Sequence, residues 1–166
     1  VFRVEVGKGD LRFSAAHFIS FLGKCERLHG HNYGVSVVLE GNLSREGLVF
    51  DFVEIKKIVR EICDSLDHRF LLPFESSCLQ IQKTGEEWVI HFGNRRYVFP
   101  SSDVFVLPVD NITAERLAEY ICKRIMETLQ PKAGNLAAVT VGVEEAPGQT
   151  AYYRHSFTAE VPPQIT

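Results

Sequence analysis

A chain of 166 residues with 45% apolar and 23% charged residues is sized for one well-buried core, and a division into two domains is not expected. No apolar run reaches the roughly 20 residues needed to span a bilayer, and the net charge of −3, with positive residues scattered apart from "NRRY" at 94–97, supplies no field for nucleic acid. The opening "VFRVEVGKGD" has no basic flank followed by an apolar block, so the protein is expected to be cytoplasmic.

From Arg3 to His17 the apolar or small residues Leu11, Phe13 and Ala15 alternate with Asp10, Arg12 and Ser14, a half-buried strand with a turn or bulge at "GKGD". Alternation returns from Leu28 to Leu39, where His29, His31, Tyr33, Val35, Val37 and Leu39 share one face. The two strands are expected to pair antiparallel, joined through residues 18–27. Phe52, Ile55, Val59, Ile62 and Leu66 then recur at helical spacing, which predicts a helix over 52–65. Asp51 is its cap, and Glu54 stands three residues later as in a capping box. "EEWVIHFGNRRYVF" alternates around Gly93-Asn94 and predicts an inserted β-hairpin over 79–106. A second helix is expected over 114–129, with Thr113 as N-cap and Pro131 just past its end. Ala138–Glu145 and Thr150–Ala159, joined by "APGQ", form a last hairpin. The order predicts an α+β domain with both helices on one face of an antiparallel sheet.

The chemistry concentrates in "CERLHGHNY" at 25–33. Side chains two apart on a strand point the same way, so His29 and His31 share a face about 7 Å apart along the backbone. His17, of the same parity at the end of the preceding strand, can be brought opposite them by an antiparallel partner. Three imidazoles with an open fourth position suit Zn²⁺. The alternative is two partly exposed strand histidines and one satisfied core histidine; the third histidine and the nearby cysteine favour the metal.

The four cysteines, Cys25, Cys63, Cys78 and Cys122, are far apart and form no C-x-x-C pair, which argues against a disulfide framework and a four-thiolate site. Cys25 has three readings: a fourth ligand, a buried thiol, or a reactive base whose thiolate Lys24, Arg27 and a nearby dication would favour. The reactive role is preferred. Glu26 is either a solvated loop acid or a member of the same site, three residues before His29. Asp67-His68 can hold one imidazole tautomer for proton transfer. Glu145 in "VEEAPG" can grip a guanidine-like heterocycle through paired hydrogen bonds. Spacing alone leaves both of these open between structural and chemical roles.

Taken together, "FSAAHF" (13–18), "CERLHGHNY", "GLVFDFVEIK" (47–56), "LDHRFL" (66–71), "NITAERLAEYI" (111–121) and "VEEAPGQTAYY" (143–153) resemble the 6-pyruvoyltetrahydropterin synthase and 6-carboxytetrahydropterin synthase superfamily. The resemblance implies the tunnelling fold, in which subunits assemble into a β-barrel, commonly a hexamer of two trimers with active sites between subunits. It implies zinc on His17, His29 and His31, Cys25 as proton-abstracting thiolate, and Asp67 with His68 as relay partners from a neighbouring subunit. Glu145 matches the pterin-anchoring glutamate, and Thr113 the threonine beside the pterin ring.

The implied substrate is 7,8-dihydroneopterin triphosphate, and the implied product 6-carboxytetrahydropterin of the queuosine branch or 6-pyruvoyltetrahydropterin of the biopterin branch. Glu26 has the spacing of the glutamate that replaces cysteine in the folate-bypass branch, which releases 6-hydroxymethyl-7,8-dihydropterin. Two readings of other classes stand beside these. One is a non-catalytic pterin-binding oligomer, against which the complete Cys25, Asp67 and His68 set argues; the other is a nucleic-acid module resting on Arg95 and Arg96 alone.

Overall fold

The structure is a computed structural model and describes residues 1–7, 9–22, 24–129 and 134–157. The strands are β1 (Phe2–Val6), β2 (Arg12–His17), β3 (Ser20–Phe21), β4 (Lys24–Cys25), β5 (His29–Gly41), β6 (Arg69–Pro73), β7 (Gln80–Thr84), β8 (Glu87–Phe92), β9 (Arg95–Pro100), β10 (Val104–Leu107), β11 (Leu136–Ala146) and β12 (Gln149–Ser156). The helices are α1 (Phe52–Leu66) and α2 (Ala114–Leu129). Pro131 and the end of the last expected strand at Ala159 lie outside the described residues.

The long strand β5 organises the main sheet, whose order is β10-β6-β2-β5-β11-β12. The expected first strand is two strands that share β5 as partner: β2 pairs with its first half, from His17 opposite His29 to Arg12 opposite Gly34, and β1 with its second half. Lys8 of the expected "GKGD" turn lies outside the described residues, between β1 and β2.

The sheet is mixed rather than antiparallel, because β6 pairs parallel with both β2 and β10. Neither β6 nor β10 was expected as a strand of this sheet. Their sequences hold short apolar runs, "FLLP" after Arg69 and "VFVL", which carry no period that separates strand from other buried chain. The cause is burial on both faces: Leu71 belongs to the core under the helices, Phe70 and Leu72 to a second core opposite.

Both helices lie on one face. α1 buries Ile55, Ile58, Val59, Cys63 and Leu66, and α2 buries Leu117, Ala118, Ile121, Cys122, Ile125 and Leu129, all against Phe13, Tyr33, Val35, Val139 and Val141 of the sheet. Each fully buried large aliphatic is worth roughly 1.5–3 kcal/mol relative to exposure, so this layer supplies most of the force that fixes the register of β5. Asp51 caps α1 by accepting from the Val53 N–H at 2.9 Å, and the Thr113 hydroxyl caps α2 by accepting from the Arg116 N–H at 3.2 Å.

The insertion is a three-stranded antiparallel sheet, β7-β8-β9, rather than one hairpin. Its first turn holds Gly85 at φ 58° and its second Gly93 at φ 56°, left-handed positions that glycine adopts without penalty. The first turn, "TGEE", has no flanking asparagine and lacks the two-residue hairpin signal of the second. This small sheet covers the face of the main sheet opposite the helices. Tyr97 stacks on Phe18 with centroids 5.1 Å apart, and Phe99 on Phe70 at 4.2 Å, over a core of Leu72, Leu79, Ile90 and Val104. No helix among the described residues is long and apolar enough to cross a membrane.

Replacing Asp51 by alanine leaves the first amides of α1 without that acceptor. The expected loss is about 1 kcal/mol, read as a lower urea midpoint with an unchanged denaturant slope.

Candidate metal centre

Strand parity and register bring the three histidines together. His29 and His31 project from β5 onto the helix-facing side, and β2 sets His17 directly across from His29. The ring centroids form a nearly even triangle, with sides of 4.7, 4.9 and 5.1 Å. One nitrogen of each lies within 4.8 Å of the others. Gly30 makes this possible, since a Cβ there would stand 2.9 Å from the Ala15 carbonyl oxygen on β2.

The hydrogen bonds on the far sides of the rings set their tautomers. His17 is fully buried and its Nδ1 meets the Ile112 carbonyl at 2.9 Å; Nδ1 of His29 meets the Arg27 carbonyl at 2.7 Å. A carbonyl can only accept, so in both rings Nδ1 carries the proton and Nε2 the lone pair. The two Nε2 atoms then face each other at 3.2 Å. Two lone pairs at that distance repel unless a cation sits between them. A tetrahedral ion bound at about 2.0–2.1 Å separates its ligand nitrogens by about 3.3 Å.

Burial lowers the His17 pKa to about 4, with the neighbouring His29 and His31 adding to the effect against the Ile112 carbonyl. The neutral ring is the metal-ligating form. Oε1 of Glu145, carried by β11, stands 3.3 Å from His31 Nε2 and 3.6 Å from His17 Nε2, buried and without a hydrogen-bond donor. Two lone-pair nitrogens, with the His31 ring closing the triangle, are a donor set that could hold a divalent cation, and the Glu145 oxygen stands beside it.

Tyr33 completes the inner wall, its hydroxyl 3.4 Å from His17 Nδ1 and its ionisation pushed up by burial and then by Glu145. A cleft of about 620 Å³ opens beside the cluster, with His31, Tyr33, Glu145, Pro147 and Tyr152 in its walls. Thr113 follows directly on the Ile112 carbonyl that orients His17, so the start of α2 abuts the cluster. Asn111 fastens this corner to β3 by donating to the Ser20 carbonyl at 2.9 Å and accepting from its N–H at 3.3 Å. Asn111 and Tyr33 are not among the site residues expected from the sequence. Tyr33 was legible from the shared face of 29, 31 and 33, whereas the Asn111 contact joins residues 91 apart and leaves no local trace.

Cys25 and Glu26 lie at the rim. The Cys25 thiol is buried and donates to the Glu26 carbonyl at 3.4 Å. Burial pushes this thiol up, and the charge that opposes the shift is Arg95 of β9, not the adjacent Lys24 and Arg27. The Glu26 carboxylate comes within 4.0 Å of His29 Nε2. The Arg95 guanidinium is thus turned onto the chain's own loop. All four cysteines are unpaired.

Asp67 and His68 are not brought to the histidines within one chain. Asp67 accepts from the Ser14 N–H at 2.7 Å and pairs with His68 Nδ1 at 2.8 Å, while the His68 N–H donates to the Ser14 carbonyl at 2.7 Å. These bonds hold His68 at φ 55°, a left-handed position costing about 1–3 kcal/mol for a residue with a side chain. A cleft of about 490 Å³ on this side is walled by Ser14, His68, Phe70, Phe99 and Asp103, and reaches the cluster only at His31.

Two measurements follow from this geometry. Gly30→Ala displaces the strand that carries two of the three imidazoles, so metal retained after equilibration and gel filtration is expected to fall from about one ion per chain to a small fraction of that. The Asp67 carboxyl is held below its usual range, first by the Ser14 N–H and then by His68. A lowered folded-state value stabilises the fold above the unfolded-state value, and this stabilisation disappears as pH falls through the folded one. Asp67→Asn is therefore expected to be less stable than the wild type at pH 7, with the gap closing in acid.

The match to the 6-pyruvoyl tetrahydropterin synthase family model covers residues 8–156. A protein of Methanocaldococcus jannaschii provisionally named 6-carboxy-5,6,7,8-tetrahydropterin synthase is 38% identical over 146 residues, 87% of this chain and 90% of its own. The crystal structure of 6-pyruvoyl tetrahydropterin synthase from Plasmodium vivax superposes with a TM-score of 0.90 at 36% identity, covering 94% of this chain and 98% of that one. The same Plasmodium protein has been solved with a glutamate, described as a catalytic residue, replaced by cysteine and by alanine. A family match over most of the chain, relatives above 30% identity and a shared fold have one reading: this chain belongs to the 6-pyruvoyl tetrahydropterin synthase family of lyases.

Proposed function

We propose that the protein is a zinc-dependent lyase that converts 7,8-dihydroneopterin triphosphate to 6-carboxy-5,6,7,8-tetrahydropterin. The observation that carries the reading is the pair of deprotonated Nε2 atoms at 3.2 Å, with His31 and the orphaned Glu145 oxygen beside them. His17, His29 and His31 would hold the ion. When bound there, zinc supplies Lewis-acid stabilisation of negative charge developing on a substrate oxygen.

The remaining work falls to the chain's own side chains. Glu145, in the wall of the larger cleft, would accept hydrogen bonds from the guanidine-like edge of the pterin, with Thr113 at the adjoining helix start. Cys25 at the rim would take the proton from the substrate side chain, and burial of its thiol makes this base strong once ionised. His68, held by Asp67, would pass protons from a second copy of the chain, since one copy alone keeps the pair away from the histidines. An assembly of identical subunits, commonly a hexamer in this family, follows from that requirement. The exposed outer side of β12 at the end of the main sheet supports it.

Glu26 favours a second reading, cleavage of the same substrate to 6-hydroxymethyl-7,8-dihydropterin. Its carboxylate lies 4.0 Å from His29 Nε2, and a glutamate is described as a catalytic residue in the Plasmodium relative. The 6-pyruvoyl product and a non-catalytic pterin-binding role are the competing outcomes.

Incubating chelator-treated and zinc-restored protein with dihydroneopterin triphosphate and resolving the pterins by chromatography separates these readings. The expected result is 6-carboxytetrahydropterin from the zinc-restored protein alone; absence of any turnover in it overturns the proposal. Cys25→Ala is expected to lower the carboxy product by about a hundredfold or more while the hydroxymethyl product persists, and Glu26→Gln to do the reverse.

A further inference from the structure

We infer that Arg95, at the start of β9 in the inserted sheet, is a positioning residue for the loop that carries Cys25 and Glu26. This rests on the proposed roles of those two residues. The Arg95 guanidinium donates from one nitrogen to the Cys25 carbonyl at 3.0 Å and to the Glu26 carbonyl at 3.3 Å. Residues 26–28 lie outside any strand or helix, so their backbone depends on such outside partners. On its other side the loop is tied by the Glu26 N–H, which donates to the Ile19 carbonyl at 2.9 Å, and by the short β3-β4 pairing of Ser20 with Cys25. His29 Nδ1 holds the Arg27 carbonyl at 2.7 Å, and Arg95 ties the two carbonyls before it with bonds from a charged donor, about twice as strong as neutral ones.

The arginine has a firm base. It follows the Gly93-Asn94 turn, and two residues farther along Tyr97 stacks on Phe18, the neighbour of His17. Phe99 stacks on Phe70. The inserted sheet is thereby keyed to the main sheet through aromatic faces, and its turn reaches over to fix the backbone of the two residues proposed to move protons. Its positive charge also lies on the Cys25 side of the loop, where it favours ionisation of the thiol against the effect of burial. Sequence distance hides the contact, which joins residues 69 and 70 apart.

The test compares Arg95→Met, Arg95→Lys and, as a control on the same turn, Arg96→Met. Readouts are hydrogen exchange of the 24–28 segment, bound zinc, and kcat and KM for dihydroneopterin triphosphate. Arg95→Met is expected to speed exchange in 24–28 by about tenfold, as loss of a charge-assisted hydrogen bond implies. Exchange in β5 and zinc content stay at wild-type levels, and kcat falls about tenfold with KM within about twofold. Arg95→Lys, which keeps a charged donor, recovers part of both effects. Unchanged exchange in Arg95→Met, an equal rise in Arg96→Met, or raised exchange with wild-type kcat overturns the inference. Wild-type kcat in both Cys25→Ala and Glu26→Gln places the failure in the proposed function, and the brace is then decided by the exchange data alone.

Discussion

The antiparallel register of β2 on β5 is the constraint on which the site depends. With His17 opposite His29, and His31 two residues along the same face, three imidazoles meet without any loop having to carry them. A slip of one residue would turn every side chain on β5 to the other face, taking Tyr33, Val35 and Val37 out of the core along with both histidines. The hydrophobic layer and the metal-binding geometry are therefore enforced by one alignment, and the stability of the core guarantees the placement of the ligands.

The orientation of the ligands comes from a different source. His17 and His29 are each held by a backbone carbonyl, from Ile112 at the approach to α2 and from Arg27 in the loop before β5. Both bonds fix the proton on Nδ1 and leave Nε2 bare. A carbonyl is an orienting partner without a charge of its own, so the negative charge near the cluster comes from Glu145 and, at the rim, from Glu26. The Glu145 carboxylate is carried by β11 and turns its Oε1, buried without a donor, toward the rings.

How far the chain could be read without coordinates follows from where each interaction lies along it. The two helices and their caps at Asp51 and Thr113 were legible because helical spacing and capping are local. The His29–Gly30–His31 face was legible because strand parity is local too, and His17 followed from one assumption of antiparallel pairing. β6 and β10 were not, since strands buried on both sides lose the alternation that marks a strand, and the parallel pairing of β6 with β2 made the sheet mixed. The third strand of the insertion was hidden behind a turn with only Gly85 to announce it. Asn111 and Arg95 act across 91 and 70 residues, and nothing in their neighbours marks them out. Asp67 and His68 stand in a different position: their contacts to Ser14 are intrachain, but their separation from the histidines emerges only in three dimensions.

The inserted sheet divides responsibility within the molecule. The three clustered histidines are held by the main sheet, by the approach to α2 and by the loop before β5, whereas the backbone of Cys25 and Glu26 is held in part by a peripheral three-stranded unit whose turns are open to solvent. Lengthening, shortening or re-aiming that unit would move the loop of Cys25 and Glu26 and leave the histidine cluster in place. In such a layout an outlying decoration can vary, and shift one rim of the cleft, while the centre of the fold stays as it is.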